Sequence, residues 1–549
     1  MILQDLKRAA AAAAGTWAKS QGLAEPADLA FNPAPPHVRA DLSMAWPLQA
    51  GKLLKRKPLD VASDLAKALT GLPGVEPPAA APPGFVNFTL KKEALAGNLA
   101  GIVADPAAYG ANPHAARRSV LFEFVSANPT GPLHLASGRA ATLGDSLVRI
   151  FRRIGHKTWA EYYVNDAGRQ VELLGQSVKA RWEQAKGKDS PLPEGGYQGE
   201  YIAEVASKAP PRASSWGAPD FSRFAIETLL ETHREDMKAF GVSFDRWFLE
   251  SELHKSGAVE KALHFLKDRG MAYENEGAVW LGTSSQGEED DKDRVLVRSD
   301  GRPTYFLGDI AYHKDKFDRG WEELIDIWGA DHHGYVPRMK AAVAALGKDP
   351  ESFHAIIHQL VHLYRGKELV KMSKRAGEFV TLKDLIAEAG RDACRFFFAQ
   401  RTPNAHMNFD LDLAKKQSQE NPVYYVQYVH ARVCSIFREA AKARLAPICS
   451  RDMEGQCASL DKPQERALLV KLAWFPDVLG ACERELSPHP LPNYLLELAG
   501  LFHPFYEECR VVDPAKKDLS QARLALCAGV RSVIAEGLGL LGVSAPESM

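Results

Sequence analysis

Val120-Leu121-Phe122-Glu123-Phe124-Val125-Ser126-Ala127-Asn128-Pro129-Thr130-Gly131-Pro132-Leu133-His134 decides the fold. Its first six residues are mostly apolar, β-branched or aromatic. They read as a strand of a parallel sheet buried on both faces. The Pro/Gly stretch 126–132 breaks that strand into a loop. A helix is predicted from near His134 to beyond Ile150, and Thr158-Trp159-Ala160-Glu161-Tyr162-Tyr163-Val164 reads as a second strand. Strand, loop, helix and strand form a βαβ unit, so a Rossmann-like, doubly wound parallel α/β sheet is predicted. His134 then stands where a strand ends and a helix begins. Free N–H groups and the helix dipole at such a place favour a phosphate. Taken alone, a histidine there is more often a capping or packing residue; the whole phrase Ser126 to Arg139 favours the phosphate reading.

Outward from this unit the chain divides into three. Residues 1 to about 70 read as helical, with a loop at Asn32-Pro33-Ala34-Pro35-Pro36. Leu-Pro-Gly-Val-Glu-Pro-Pro-Ala-Ala-Ala-Pro-Pro-Gly over 72–84 is a linker or loop, because proline fits neither helix interior nor central strand. A strand at 85–90 completes a separate α+β module over 1–110. Residues 111–412 form the α/β domain, with a helical insertion at about 170–275 and further strands at 278–282, 294–298 and 324–328. Residues 413–549 are helical, with loops near 447–463 and 487–492, and form an all-α bundle.

The 549 residues, 46% hydrophobic and 25% charged, suit a multidomain globular protein. Lys+Arg number 68 and Asp+Glu 69, which excludes a basic tail or an acidic solvating chain. It leaves a local RNA-binding face possible. The seven cysteines include no C-x-x-C pair. That fits a reducing cytosol and argues against protein-bound zinc or a disulfide framework. No signal peptide or membrane span is expected.

Other stretches carry candidate chemistry. Lys371-Met372-Ser373-Lys374, followed by Arg375 and Gly377, suits a loop that closes on polyphosphate, although a solvated basic loop has the same composition. Gly329-Ala330-Asp331-His332-His333-Gly334 follows a strand, where Gly329 admits a ribose and Asp331 accepts its hydroxyls. Adjacent histidines seldom share a metal, and no further ligands have metal-site spacing. Tyr305 and Asp309 lie one helical turn apart and suit a cationic ligand. His354, His358 and His362 recur every fourth residue but read as structural. Gly537-Leu538-Gly539-Leu540-Leu541-Gly542 lacks a βαβ context and reads as a frayed helix end.

His134-Leu135-Ala136-Ser137 and Lys371-Met372-Ser373-Lys374-Arg375, with their large separation, resemble the two signatures of class I aminoacyl-tRNA synthetases. Three further segments are similar to the bacterial arginyl-tRNA synthetase family: Phe122 to His134; Tyr163-Val164-Asn165-Asp166-Ala167-Gly168-Arg169-Gln170; and Gly329 to Tyr335. So is Asn421-Pro422-Val423-Tyr424-Tyr425-Val426-Gln427-Tyr428, which opens the helical tail. The resemblance runs nearly end to end.

This resemblance implies a ligase that activates L-arginine with ATP, Mg²⁺ arriving with the nucleotide, and charges arginine tRNA. Glu123, Asn128, Tyr305, Asp309 and His332 would bind arginine. His134, Ala136, Ser137, Gly329, Asp331, Lys371, Met372, Ser373 and Lys374 would bind ATP. His134, Ser137, Lys371 and Lys374 would serve catalysis. Tyr424 and Tyr428 would contact tRNA, and the N-terminal module would reach its elbow. A cytoplasmic monomer without membrane partners is expected, and tRNA binding before activation is implied. One departure stands out. The family has Gly and His where this chain has Ala136 and Ser137. Losing a transition-state contact of that kind costs roughly 2–4 kcal/mol. A non-catalytic tRNA-binding paralogue is the alternative this departure leaves open.

Overall fold

The computed structural model describes residues 1–26, 29–35, 37–112, 116–282, 292–366, 368–370, 380–447, 455, 457 and 459–549. The N-terminal region carries β1 (Phe31–Pro33), β2 (Leu42–Met44), β3 (Ala79–Ala81) and β4 (Phe85–Phe88). They pair antiparallel in the order β1-β2-β4-β3. The stretch expected to be helical with one loop thus contributes two short strands. Three residues are too few for a readable alternation.

The central sheet is parallel throughout. It comprises β5 (Ser119–Glu123), β6 (Lys157–Val164) and β7 (Arg246–Leu249), and, after a small antiparallel sheet of β8 (Ala272–Asn275), β9 (Ala278–Leu281) and β10 (Arg294–Val297), β11 (Glu323–Gly329) and β12 (Phe353–His358). Its order is β12-β11-β5-β6-β7. Val120, Leu121 and Phe122 are fully buried, as the continuous apolar run predicts for a strand covered on both faces. The chain order reverses between β5 and β11, so the carboxyl ends of those strands frame a ligand crevice.

The helical reading of 170–275 needs correction. Helices do occupy Arg169–Gln184, Glu200–Ser207 and Ala218–Ala239, but β7 then joins the main sheet as its edge. Arg246-Trp247-Phe248-Leu249 is too short to announce itself by period. The expected strands near 278 and 294 are present and form the small sheet with β8. β13 (Val361–Arg365), β14 (Glu368–Leu369) and β15 (Met407–Asp410) make a fourth sheet among the described residues. His354 and His358 therefore lie on one strand and His362 on another, which removes any helical metal face.

The C-terminal bundle contains the helices Pro422–Lys442, Pro463–Ala473, Phe475–Arg484, Pro490–Glu508 and Lys517–Leu540. The N-terminal module is not separate from it: one apolar core runs through both. Helix Lys92–Ala104 comes so close to the last helix that a Cβ on Gly529 would lie 2.6 Å from Leu99. Lys7 pairs with Asp477 and Arg466 with Asp41 across the same seam.

The end of the last helix is packed rather than frayed. Gly542 has φ +67°, and a Cβ there would come within 2.4 Å of the buried Arg395 guanidinium. Arg395 donates to Leu541 O at 2.6 Å, to Phe240 O at 3.3 Å and to Asp145 at 2.5 Å. One side chain thus ties the bundle to the α/β domain. Arg395→Met strands Asp145 with less compensation and is expected to remove about 3–5 kcal/mol of stability. Chemical denaturation checks this, and an unchanged midpoint refutes it.

Cys394, Cys434, Cys457, Cys482, Cys509 and Cys527 are buried free thiols, and Cys449 lies outside the described residues. Among the described residues, no helix is long and apolar enough to cross a membrane.

Candidate active site

His134 is the N-cap of helix Leu135–Ile154, and among the described residues no side-chain hydrogen bond caps that helix. Ala136 is half-buried, and Ser137 is 5% exposed. Leu133 O accepts from Leu382 N at 2.8 Å, and His134 bridges Thr381. Lys371, Met372, Ser373 and Lys374 lie outside the described residues. Helix Leu382–Ala389, which follows them, is nevertheless tied to the start of the His134 helix. Gly138 permits this approach, since a Cβ there would sit 2.8 Å from Leu382. Buried Arg139 fastens the helix to the opposite wall through the carbonyls of Gln359, Thr402, Pro403 and Ala405, at 2.8–3.1 Å.

Gly329 ends β11 and is the register partner of His358 on β12. His358 lies close enough to His134 and Asp331 to feel both charges, and burial pushes its imidazole down to about 4. Asp331 and His332 are exposed on the turn after β11, with His332 Nε2 3.5 Å from the Asp331 carboxylate. The switch point therefore gathers His134, Gly329 and Asp331, and adds His358, which sequence reading had set aside as structural.

Beside it lies a carboxylate-rich pocket. Thr304 caps helix Tyr305–Asp318 by accepting from Leu307 N. One turn in, Asp309 accepts a hydrogen bond from the Tyr335 hydroxyl, and burial pushes its carboxyl up. Burial holds the Tyr163 phenol far above the ordinary range, and the charges of Glu250, Asp309 and Glu123 add to that push. Glu250, hydrogen-bonded to Tyr163, is likewise raised by burial. Tyr305, the first residue of the helix that carries Asp309, is 75% exposed. Asn128 is exposed, and its amide donates to Gln170 at 3.0 Å. Tyr163 and Tyr335 stood within motifs already quoted, so their positions were legible although their roles were not. Glu250 carried no sequence signal.

The loop between β5 and its helix is strained and braced. Val125 and Ser126 both have left-handed φ, at 71° and 41°. This is rare for a β-branched residue. The turn lets Ser126 Oγ donate to Glu123 Oε1 at 2.9 Å while accepting from Tyr163 N at 3.1 Å. Buried His233, on helix Ala218–Ala239, donates from Nε2 to Gly131 O at 2.7 Å. Its Nδ1 lies 3.1 Å from the Tyr162 hydroxyl, and Tyr201 donates to Thr130 O at 2.8 Å.

On the bundle, Tyr428 stacks on His503 at 6.3 Å, and Tyr425 stacks on the same ring at 5.0 Å. The Arg432 guanidinium lies 5.2 Å from both the Tyr428 and Tyr506 rings. Tyr424 is half-buried on the same helix. His503, Arg432 and Tyr506, from the same helix and a neighbouring one, come alongside Tyr428 only through helix packing.

Three family descriptions match the chain. They are the arginyl tRNA synthetase N terminal domain over 1–90, the tRNA synthetases class I (R) catalytic domain over 217–417, and the DALR anticodon binding domain over 426–549. The arginine–tRNA ligase of Elusimicrobium minutum is 54% identical over 525 residues, 95% of each chain. That of Bacillus subtilis is 41% identical over 93% of each. The Thermus thermophilus arginyl-tRNA synthetase structure, 23% identical, shares the fold with a TM-score of 0.79, covering 99% of this chain and 100% of its own. The motifs, the parallel sheet with its crevice and the near full-length identity together place the chain in the arginyl-tRNA synthetase family of class I aminoacyl-tRNA synthetases.

Proposed function

We propose that the chain activates L-arginine with ATP and transfers the arginyl group to the 3′ end of arginine tRNA. The observation that carries this is the pairing of two sites at one sheet end. The His134 helix and Gly329 form a nucleotide crevice, and Asp309 with Tyr335 forms a guanidinium pocket beside it. Arginine's carboxylate attacks the α-phosphorus, pyrophosphate leaves, and arginyl-adenylate forms. A terminal ribose hydroxyl of tRNA then attacks the adenylate carbonyl and AMP departs.

In this reading His134 and the first-turn N–H groups, with Ala136 and Ser137, receive phosphates. Gly329 and Asp331 hold the ribose. Lys371 and Lys374, flanking Met372 and Ser373, stabilise charge on the departing pyrophosphate. Glu123, Asp309, Tyr305, Asn128 and His332 surround arginine. Mg²⁺ travels with ATP as part of the substrate. Among the described residues no three His, Cys, Asp or Glu side chains converge as metal ligands. Residues 1–110, 111–412 and 413–549 take the elbow, the acceptor end and the anticodon of tRNA, and the protein acts as a cytoplasmic monomer.

Charging of total bacterial tRNA with labelled arginine tests the proposal. Arginine-specific label in acid-precipitable tRNA supports it. tRNA binding without charging favours the non-catalytic paralogue, a reading the ligase-named relatives disfavour. The aromatic stack makes a second expectation. Tyr428→Ala should weaken tRNA binding by about 10-fold, since stacking on one base contributes roughly 1–3 kcal/mol. Filter binding at fixed salt checks it, and an unchanged affinity rejects Tyr428 as a base platform.

A further inference from the structure

Three carboxylates stand side by side across the centre of the sheet. Asp326 of β11 is in register with Glu123 of β5, and Glu123 with Glu161 of β6. Like charges on neighbouring strands are destabilising, and burial makes this worse. One face of helix Tyr305–Asp318, with its C-cap, supplies the answer. Lys316, 0% exposed, donates to Glu123 at 2.5 Å and to Asp326 at 2.9 Å. Arg319 grips Glu161 bidentately at 2.8 Å on both oxygens, and Tyr312 donates to it at 2.8 Å. His313 Nε2 is 3.0 Å from Asp326, and its Nδ1 is 2.8 Å from Asp309 O. A carbonyl can only accept, so Nδ1 carries hydrogen. Lys316, Arg319 and the His313 ring, from the end of one helix and its C-cap, thus meet three carboxylates from three strands.

We propose that Lys316 is a specificity-determining positioning residue, which keeps Glu123 an ionised, acceptor-only wall of the amino-acid pocket. This rests on the arginine-activating reading above. The helix that carries Lys316 also carries Tyr305 and Asp309, so the ladder fixes both sides of the pocket at once. Without Lys316, two neighbouring carboxylates share too little positive charge, and one must take a proton. Glu123 is the least enclosed of the three, at 8% exposed. Burial already pushes its carboxyl up, and Lys316 opposes that push. A protonated Glu123 presents a donor where a guanidinium offers only donors. A neutral ureido group, with a carbonyl acceptor, fits that wall better.

The test measures charging with arginine and with its ureido isostere, citrulline, in the wild type, Lys316→Met, Lys316→Gln and Asp326→Asn. In both Lys316 variants the arginine-to-citrulline ratio of kcat/KM should fall by about 30-fold or more through the KM for arginine, because an unmatched polar wall discriminates strongly. The KM for ATP should stay within about 3-fold. Asp326→Asn keeps the side-chain shape and leaves Lys316 wholly on Glu123, so its ratio should stay near wild type. Equal losses for both substrates, or an unchanged ratio in a folded Lys316 variant, overturn the proposal. So does a collapse in Asp326→Asn, which remains readable even if the Lys316 variants do not fold. Failure of the wild type to charge arginine would instead reject the underlying function.

Discussion

Asp309→Asn should lower kcat/KM for arginine by roughly 10²–10³-fold, mostly through KM, and leave the KM for ATP unchanged. Removing one partner of a desolvated charge pair costs about 2–5 kcal/mol, because the other charge stays unpaired. Asparagine keeps the shape and still accepts from the Tyr335 hydroxyl. The substitution therefore isolates the charge. A guanidinium pairs bidentately with a carboxylate held in place, and the Tyr335 bond does that holding. Steady-state charging at varied arginine is the measurement. An unchanged KM would remove Asp309 from the pocket and shift recognition to Glu123 and Glu250.

The second large effect is acid sensitivity from histidines buried in neutral form. Burial pushes His233 and His358 down from 6.5 to about 4. An unfolded chain takes up those protons near pH 6.5, whereas the folded chain resists until about pH 4. Stability from each is fully present above pH 6.5 and is lost as pH falls through that window, by about 3 kcal/mol per histidine. Asp236, raised to about 6 by burial, works in the opposite sense. The contribution of His233 is best isolated by difference. His233→Gln can still donate to Gly131 O, so its unfolding free energy should fall less between pH 6.5 and 4.5 than the wild type's, by about 2–3 kcal/mol. Parallel slopes would show that His233 is already charged in the fold.

The doubly wound sheet was legible because fully buried strands such as β5 are written as unbroken apolar runs. The loop that follows announced itself through Pro129, Gly131 and Pro132. β7 was not legible, since four residues show no period and, as the edge strand, it pairs with β6 alone. The pocket was half legible. Tyr305 and Asp309 share a helix face that any reader can draw. His313-Lys314-Asp315-Lys316-Phe317-Asp318-Arg319, however, looks like an ordinary solvated helix end. Only the sheet register reveals that His313, Lys316 and Arg319 face three buried acids. The N-terminal module read as separate because its seam with the bundle joins residues hundreds of positions apart, such as Leu99 with Gly529 and Lys7 with Asp477, which no local pattern announces.

The left-handed pair Val125–Ser126 has a consequence for anyone improving this protein. A non-glycine residue held at positive φ carries roughly 1–2 kcal/mol of strain. A heat-survival screen blind to activity will reward Val125→Gly wherever the relaxed φ outweighs the core contact Val125 makes and the added freedom of the unfolded chain. The same relaxation frees Ser126 from the bridge between Glu123 and Tyr163. Such a library should enrich robust but sluggish enzymes, so thermal selection of this scaffold has to be run with turnover as a second gate.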